Sequence, residues 1–137
     1  MLIFVCGGAC QGKRSWAAQK WKIPEQRVLD GREAAQCIQA GGLLGQDSEA
    51  CLLLDHYEVF VRETAERGGD AAQATDVLLS SCPDLVIITD EIGSGIIPMD
   101  KKLQEYRELH GRLCCGLAGK AQEVYRVTCG IGTRIKS

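Results

Sequence analysis

The first fourteen residues constrain the fold more than any other stretch. Leu2-Ile3-Phe4-Val5-Cys6 is a short unbroken apolar run, the pattern of a strand buried on both faces of a parallel sheet. Gly7-Gly8-Ala9-Cys10-Gln11-Gly12-Lys13-Arg14 follows it and opens a helix-like stretch. Its spacing fits G-x-x-x-x-G-K, in which glycines let the main chain wrap a phosphate with its N–H groups pointing inward. The positive end of the following helix adds to that grip, and Lys13 is expected to reach the β- and γ-phosphates. The motif asks for Ser or Thr after the lysine, because a hydroxyl there ligates Mg²⁺. Arg14 holds that position and cannot bind a metal, although it could pair with a phosphate oxygen. Ser15, one residue on, is expected to point away from the site by the helical period. The alternative is a tight strand-to-helix turn with an exposed lysine.

Further apolar runs alternate with helix-like stretches. Helices are expected over 13–22, 32–40, 57–67, 71–81 and 101–118. Strands are expected over 27–30, 50–55, 85–89 and 123–128, with one more over 133–136. Gly41 to Asp47 reads as a loop. Strands alternating with helices predict an α/β domain with a mostly parallel central sheet. Leu103, Tyr106, Leu109, Leu113 and Leu117 recur at helical spacing and are expected in the core. Trp16 and Trp21 read as packing residues.

In such sheets ligands bind beyond the carboxyl ends of the strands. Asp55 ends one apolar run, and Asp90-Glu91 end another. Asp55 and Asp90 are candidate metal holders, and Asp55 and Glu91 candidates to handle a nucleophile. Each could equally be a helix cap or a solvated loop acid. His56 could be a base or a covalent phosphoryl or nucleotidyl carrier, or merely hydrogen-bonded. His110 is placed on the polar side of the long helix. Glu58, Arg62, Glu63, Glu66 and Arg67 read as a solvated helix face, with Glu58–Arg62 and Glu63–Arg67 pairs.

Composition excludes several classes. The chain has 137 residues and a net charge of −2, without the basic face that counterion release on nucleic acid needs. No apolar run approaches a membrane span, and the first residues carry no basic stretch of a secretory signal. A single domain over residues 1–137 is expected. Eight cysteines stand at 6, 10, 37, 51, 82, 114, 115 and 129, with no CxxC pair, so zinc spacing is absent. Reduced thiols in a cytoplasm are expected, with Cys6, Cys51 and Cys129 acting as small apolar residues in strands.

Three blocks together resemble the adenosylcobinamide kinase / adenosylcobinamide-phosphate guanylyltransferase family. They are the Gly7-Gly8-Ala9 loop start, Thr89-Asp90-Glu91-Ile92-Gly93-Ser94-Gly95-Ile96-Ile97-Pro98, and Tyr106-Arg107-Glu108-Leu109-His110-Gly111-Arg112-Leu113. The tail from Gly130 to Lys136 is similar too. The resemblance covers residues 1–22 and about 50–137. It implies a three-layer P-loop fold of the recombinase type and a homotrimer. It also implies phosphorylation of adenosylcobinamide by ATP or GTP with Mg²⁺, then guanylyl transfer through a histidine. This chain departs from the family pattern at Gln11 and Arg14, where the family has serines, and at Cys114-Cys115, where it has Asn-Gln. Asp55-His56-Tyr57-Glu58 stands at the family's D-C-L-T block, and no histidine precedes His56. The resemblance therefore implies a kinase-like protein without the guanylyl step. Two rivals stand beside it: a non-catalytic nucleotide- or corrinoid-binding module with a regulatory or assembly role, and a cysteine-rich metal or redox protein on a borrowed fold.

Overall fold

The first apolar run forms β1 (Leu2–Gly7), an interior strand of a six-stranded sheet ordered β2-β3-β4-β1-β5-β6. The computed structural model describes residues 1–9, 12–41, 52–91 and 100–136. After β1 come α1 (Lys13–Lys20), a 3-10 turn (Glu25–Arg27), β2 (Val28–Asp30) and α2 (Gly31–Gln39). Then follow β3 (Leu52–Asp55), α3 (Tyr57–Glu66), α4 (Ala71–Ser81), β4 (Leu85–Asp90), α5 (Lys101–Lys120), β5 (Glu123–Thr128) and β6 (Ile131–Lys136). Strands β1 to β5 pair in parallel, and β6 returns antiparallel to β5. This is the expected α/β fold of the P-loop NTPase type.

Strand alternation builds two apolar layers. Ile3, Val5, Leu53, Val86 and Ile88 face α1, where Ala17, Trp16, Trp21, Tyr125 and Val127 complete one cluster. Phe4, Leu52, Leu54, Leu85 and Ile87 face the other helices, against Ala34, Tyr57, Phe60, Val61, Leu78 and Leu117. β3 and β4 are covered on both faces, which is why they read as continuous apolar runs. Three helices start on an aspartate: the carboxylates of Asp30, Asp70 and Asp100 accept from first-turn amides of α2, α4 and α5. Each such cap contributes about 1 kcal/mol.

Several expectations shift. α1 ends at Lys20, not 22, because Lys22 turns to a positive φ of 52° ahead of Pro24. α2 begins one residue earlier than expected and α5 runs two residues further. Leu103 is 51% exposed and outside the core, while Leu117 is buried. Cys129 is not in a strand; it forms the exposed β5–β6 turn with φ 51°. The expected loop from 42 to 47 and Cys51 lie outside the described residues. Among the described residues no helix is long and apolar enough to cross a membrane.

Candidate functional site

The carboxyl ends of β1, β3 and β4 bring the glycine turn and the strand-end acids together, with Gly7 in register with Asp90. Gly12 adopts φ 79°, ψ 22° before α1 begins, a left-handed conformation that glycine reaches without a steric penalty. That bend points the chain into α1, whose first residue is Lys13. Among the described residues no side chain caps this end of α1, and uncapped first-turn amides are the usual partners of an anion. Lys13 is buried at 6% exposure. Its Nζ donates to Gly8 O at 2.6 Å and pairs with Asp90 Oδ1 at 2.6 Å. The exposed lysine of the simple-turn alternative is therefore not what forms.

Ala9, Gly12, Lys13, Arg14, Ser15, Asp55, His56 and Asp90 line one cleft, whose described part measures about 280 Å³. Gly7 and Gly8 are not among the lining residues: Gly7 ends β1 and Gly8 follows it, supplying the carbonyl that Lys13 grips. Ser15, expected to point away, is one of the lining residues. Arg14 is exposed and paired with Glu25. Glu91 is not among the cleft residues: its carboxylate holds Arg126 through two contacts of 3.1 Å, while its N–H donates to Gly7 O. Cys10 and Gln11 lie outside the described residues.

Asp55 is nearly buried, and burial pushes its carboxyl above the usual range against the opposing pull of His56. Its Oδ1 accepts from the His56 N–H at 3.0 Å, and its Oδ2 lies 3.6 Å from His56 Nε2. His56 itself takes φ 60°, ψ 56°, a left-handed corner between β3 and α3. Burial would lower its imidazole pKa, but the carboxylates of Asp55 and Glu58 outweigh burial and hold it above the ordinary value.

Glu58 corrects the expectation of a solvated face: it is 7% exposed. Its Oε1 accepts from Asp90 N–H at 3.0 Å, and its Oε2 lies 3.2 Å from His56 Nδ1. Burial raises its pKa as well, and the nearby Asp90 charge adds to that. The Tyr106 hydroxyl donates to the Glu58 carbonyl at 2.5 Å and ties α5 to this corner. Sequence reasoning missed Glu58 and Tyr106. The available signal was position: Glu58 is in the first turn of a helix that starts directly after a strand-end acid, so it sits above the sheet's carboxyl edge. The Glu63–Arg67 pair forms as expected, at 3.6 Å.

His110 is also not where periodicity put it. It is buried at 4% exposure, with Nε2 2.8 Å from Thr89 Oγ1. Burial drives its pKa down to about 4. The folded value lies below the unfolded value, so the unfolded chain takes up more protons between the two. The share of stability that His110 contributes is complete above pH 6.5 and is lost as pH drops toward 4, on the order of 3 kcal/mol, while the raised values of Asp55, His56 and Glu58 act with the opposite sign. Urea midpoints measured from pH 7 to pH 4.5 will show this loss. His110→Gln, which keeps a partner for Thr89, will flatten it.

A family model described as cobinamide kinase / cobinamide phosphate guanyltransferase matches residues 33–135. The match takes in residues 33–49, where no resemblance was read from motifs, and begins after the glycine turn. The bifunctional adenosylcobalamin biosynthesis protein CobU of Salmonella typhimurium is 37% identical over 68 residues, which is 49% of this chain and 38% of that protein. The protein of the same name from Escherichia coli is 41% identical over 56 residues, which is 40% of this chain and 31% of that protein. The matched segments thus span well under half of either relative. The family match covers most of the chain and includes Asp55, His56, Glu58, Asp90 and Tyr106, so the chain belongs to the cobinamide kinase / cobinamide phosphate guanyltransferase family.

Proposed function

We propose that the chain binds a nucleoside triphosphate at the Gly7–Arg14 turn and transfers its terminal phosphoryl group to the alcohol of adenosylcobinamide, without guanylyl transfer. The observation that carries this reading is the buried Lys13 ammonium at the start of α1, beside Asp55 and Asp90 in one cleft. Main-chain amides of the turn and the Lys13 ammonium hold the phosphates and stabilise charge that spreads onto the transferred group. The acceptor oxygen bonds to the γ-phosphorus, the bond from that phosphorus to the bridging oxygen breaks, and a nucleoside diphosphate leaves. Of the two acids expected to handle the hydroxyl, Asp55 lines the cleft and Glu91 is engaged by Arg126. The hydroxyl proton is therefore assigned to Asp55, whose burial makes it a stronger base than a solvated aspartate.

The loop does not fit Mg²⁺ held in the usual way. Arg14 stands at the hydroxyl position and is bound to Glu25, so that position offers no oxygen to a magnesium ion. No histidine precedes His56 to carry a guanylyl group where the family resemblance places one. On this reading the donor is ATP or GTP, and the working form is a cytoplasmic homotrimer, as the family resemblance implies.

A second reading has its own support. Lys13 is already satisfied by Asp90 and Gly8, which suits a module that binds a nucleotide or corrinoid without turnover. Incubation with ATP or GTP, adenosylcobinamide and a divalent cation separates the two. The first reading expects nucleoside diphosphate and phosphorylated corrinoid in equal amounts, with no nucleotide attached to the protein. Binding without product selects the second, and Arg14→Ser is then expected to gain turnover with Mg²⁺. Absence of nucleotide and corrinoid binding overturns both.

A further inference from the structure

We propose that His56, Glu58 and Asp90 form a binding site for a borderline divalent transition-metal ion of the Co²⁺ or Zn²⁺ class. One ligand atom from each lies within 4.8 Å of the other two. His56 Nδ1 and Glu58 Oε2 are 3.2 Å apart. Two ligands of one ion, each about 2.1 Å from it, stand roughly 3.0–3.4 Å apart in tetrahedral or octahedral geometry. That pair already has the spacing of two ligands of one ion, and Asp90, within 4.8 Å but paired with Lys13, has to swing in to complete the site.

Two further observations point the same way. Asp55 Oδ2 sits 3.6 Å from the opposite ring nitrogen, Nε2. That contact is too long for a hydrogen bond, but it puts a carboxylate on the far side of the ring, where a small shift would let it accept from the imidazole and orient it. The cluster is also short of positive charge. Asp55, Glu58 and Asp90 are three carboxylates in a largely buried corner, and Lys13 is the cation paired there. A dication redresses that balance. The imidazole decides the kind of ion: Mg²⁺ prefers an all-oxygen octahedron with several waters, whereas mixed nitrogen and carboxylate ligands suit Zn²⁺ and its neighbours.

The site also answers the loss of the loop hydroxyl at Arg14. A cation drawing on Asp90 competes with Lys13 for that carboxylate, and Lys13 is then released toward a phosphate. This consequence rests on the nucleotide reading above; the ion site itself does not.

The test uses the full chain without nucleotide. Co²⁺ titration followed by absorbance is expected to give one site per chain with a d–d spectrum lacking a thiolate charge-transfer band, which separates it from the cysteines. Mg²⁺ in tenfold excess is expected not to displace the ion. His56→Asn, chosen because Asn tolerates the left-handed backbone there, is expected to weaken binding at least tenfold with an unchanged thermal melt. Asp55→Asn is expected to weaken it about tenfold through the ring. Unchanged Co²⁺ affinity in His56→Asn overturns the site, as does a thiolate band in the wild type that persists in that variant, or ready displacement by Mg²⁺. Glu58→Gln, with the His56 ring intact, repeats the test should His56→Asn fold poorly. Metal bound without any nucleotide turnover upholds the site while the kinase reading fails.

Discussion

Lys13→Ala loses nucleoside triphosphate binding by about a hundredfold or more in calorimetric titration with ATP or GTP. The ammonium is 6% exposed and stands at the amino end of α1. Removing one charged partner from a desolvated contact costs on the order of 2–5 kcal/mol, and here the loss has a second part. Without the ammonium, Asp55, Glu58 and Asp90 confront an incoming polyphosphate with like charge. Lys13→Met keeps most of the aliphatic stem and isolates the charge, and the same loss is expected for it. Asp90→Asn moves affinity the other way in metal-free buffer, because it removes a negative charge and frees the ammonium from its 2.6 Å contact. Wild-type affinity in both Lys13 variants overturns the assignment of the turn. A loss in Lys13→Ala accompanied by a collapsed melt assigns the effect to folding, and Lys13→Met then decides.

How much of this was legible in the sequence depended on what each signal measures. Continuous apolar runs report burial on both faces, and they located β1, β3 and β4 to within a residue or two. Helix starts were legible where an aspartate caps them, as at Asp70 and Asp100. Sidedness was less legible. The same heptad-like stripe placed Leu103 inside and His110 outside, and the reverse holds. α5 meets the core from Tyr106 onward, so periodicity gave the stripe but not where along the helix packing begins. His110 is buried because Thr89 offers its ring a partner from β4, a tertiary contact that no local pattern encodes. The Gly–Lys turn and Asp55 were readable because strand-end position is a property of chain order. Glu58 was hidden because a glutamate among Arg62, Glu63 and Glu66 looks like surface. What buries it is the Asp90 amide from the neighbouring strand.

Gly31→Ala is expected to destabilise the fold by roughly 3 kcal/mol or more, an effect at the upper end for a single methyl group. Gly31 is the first residue of α2 and packs against the corner between β3 and α3. A Cβ built there meets His56 O at 2.1 Å, Phe60 N at 2.9 Å and His56 C at 3.0 Å. All three atoms are backbone, so no rotamer change relieves the overlap; α2 must move away from α3, or His56 must leave its left-handed corner. Moving α2 opens the layer that holds Ala34, Ala35 and Phe60. Displacing His56 alters the contacts with Asp55 and Glu58 that shape the cleft. Urea denaturation will read the first effect as a lower midpoint, and Co²⁺ or nucleotide titration of the surviving folded fraction will read the second. Gly111→Ala supplies the opposite sign. Gly111 lies inside α5 with nothing within 4 Å of an added Cβ, so helix propensity alone acts and stability rises by about 0.5–1 kcal/mol. If Gly31→Ala melts with the wild type, α2 does not pack this closely on the His56 corner, and the geometry assigned to that side of the cleft fails with it.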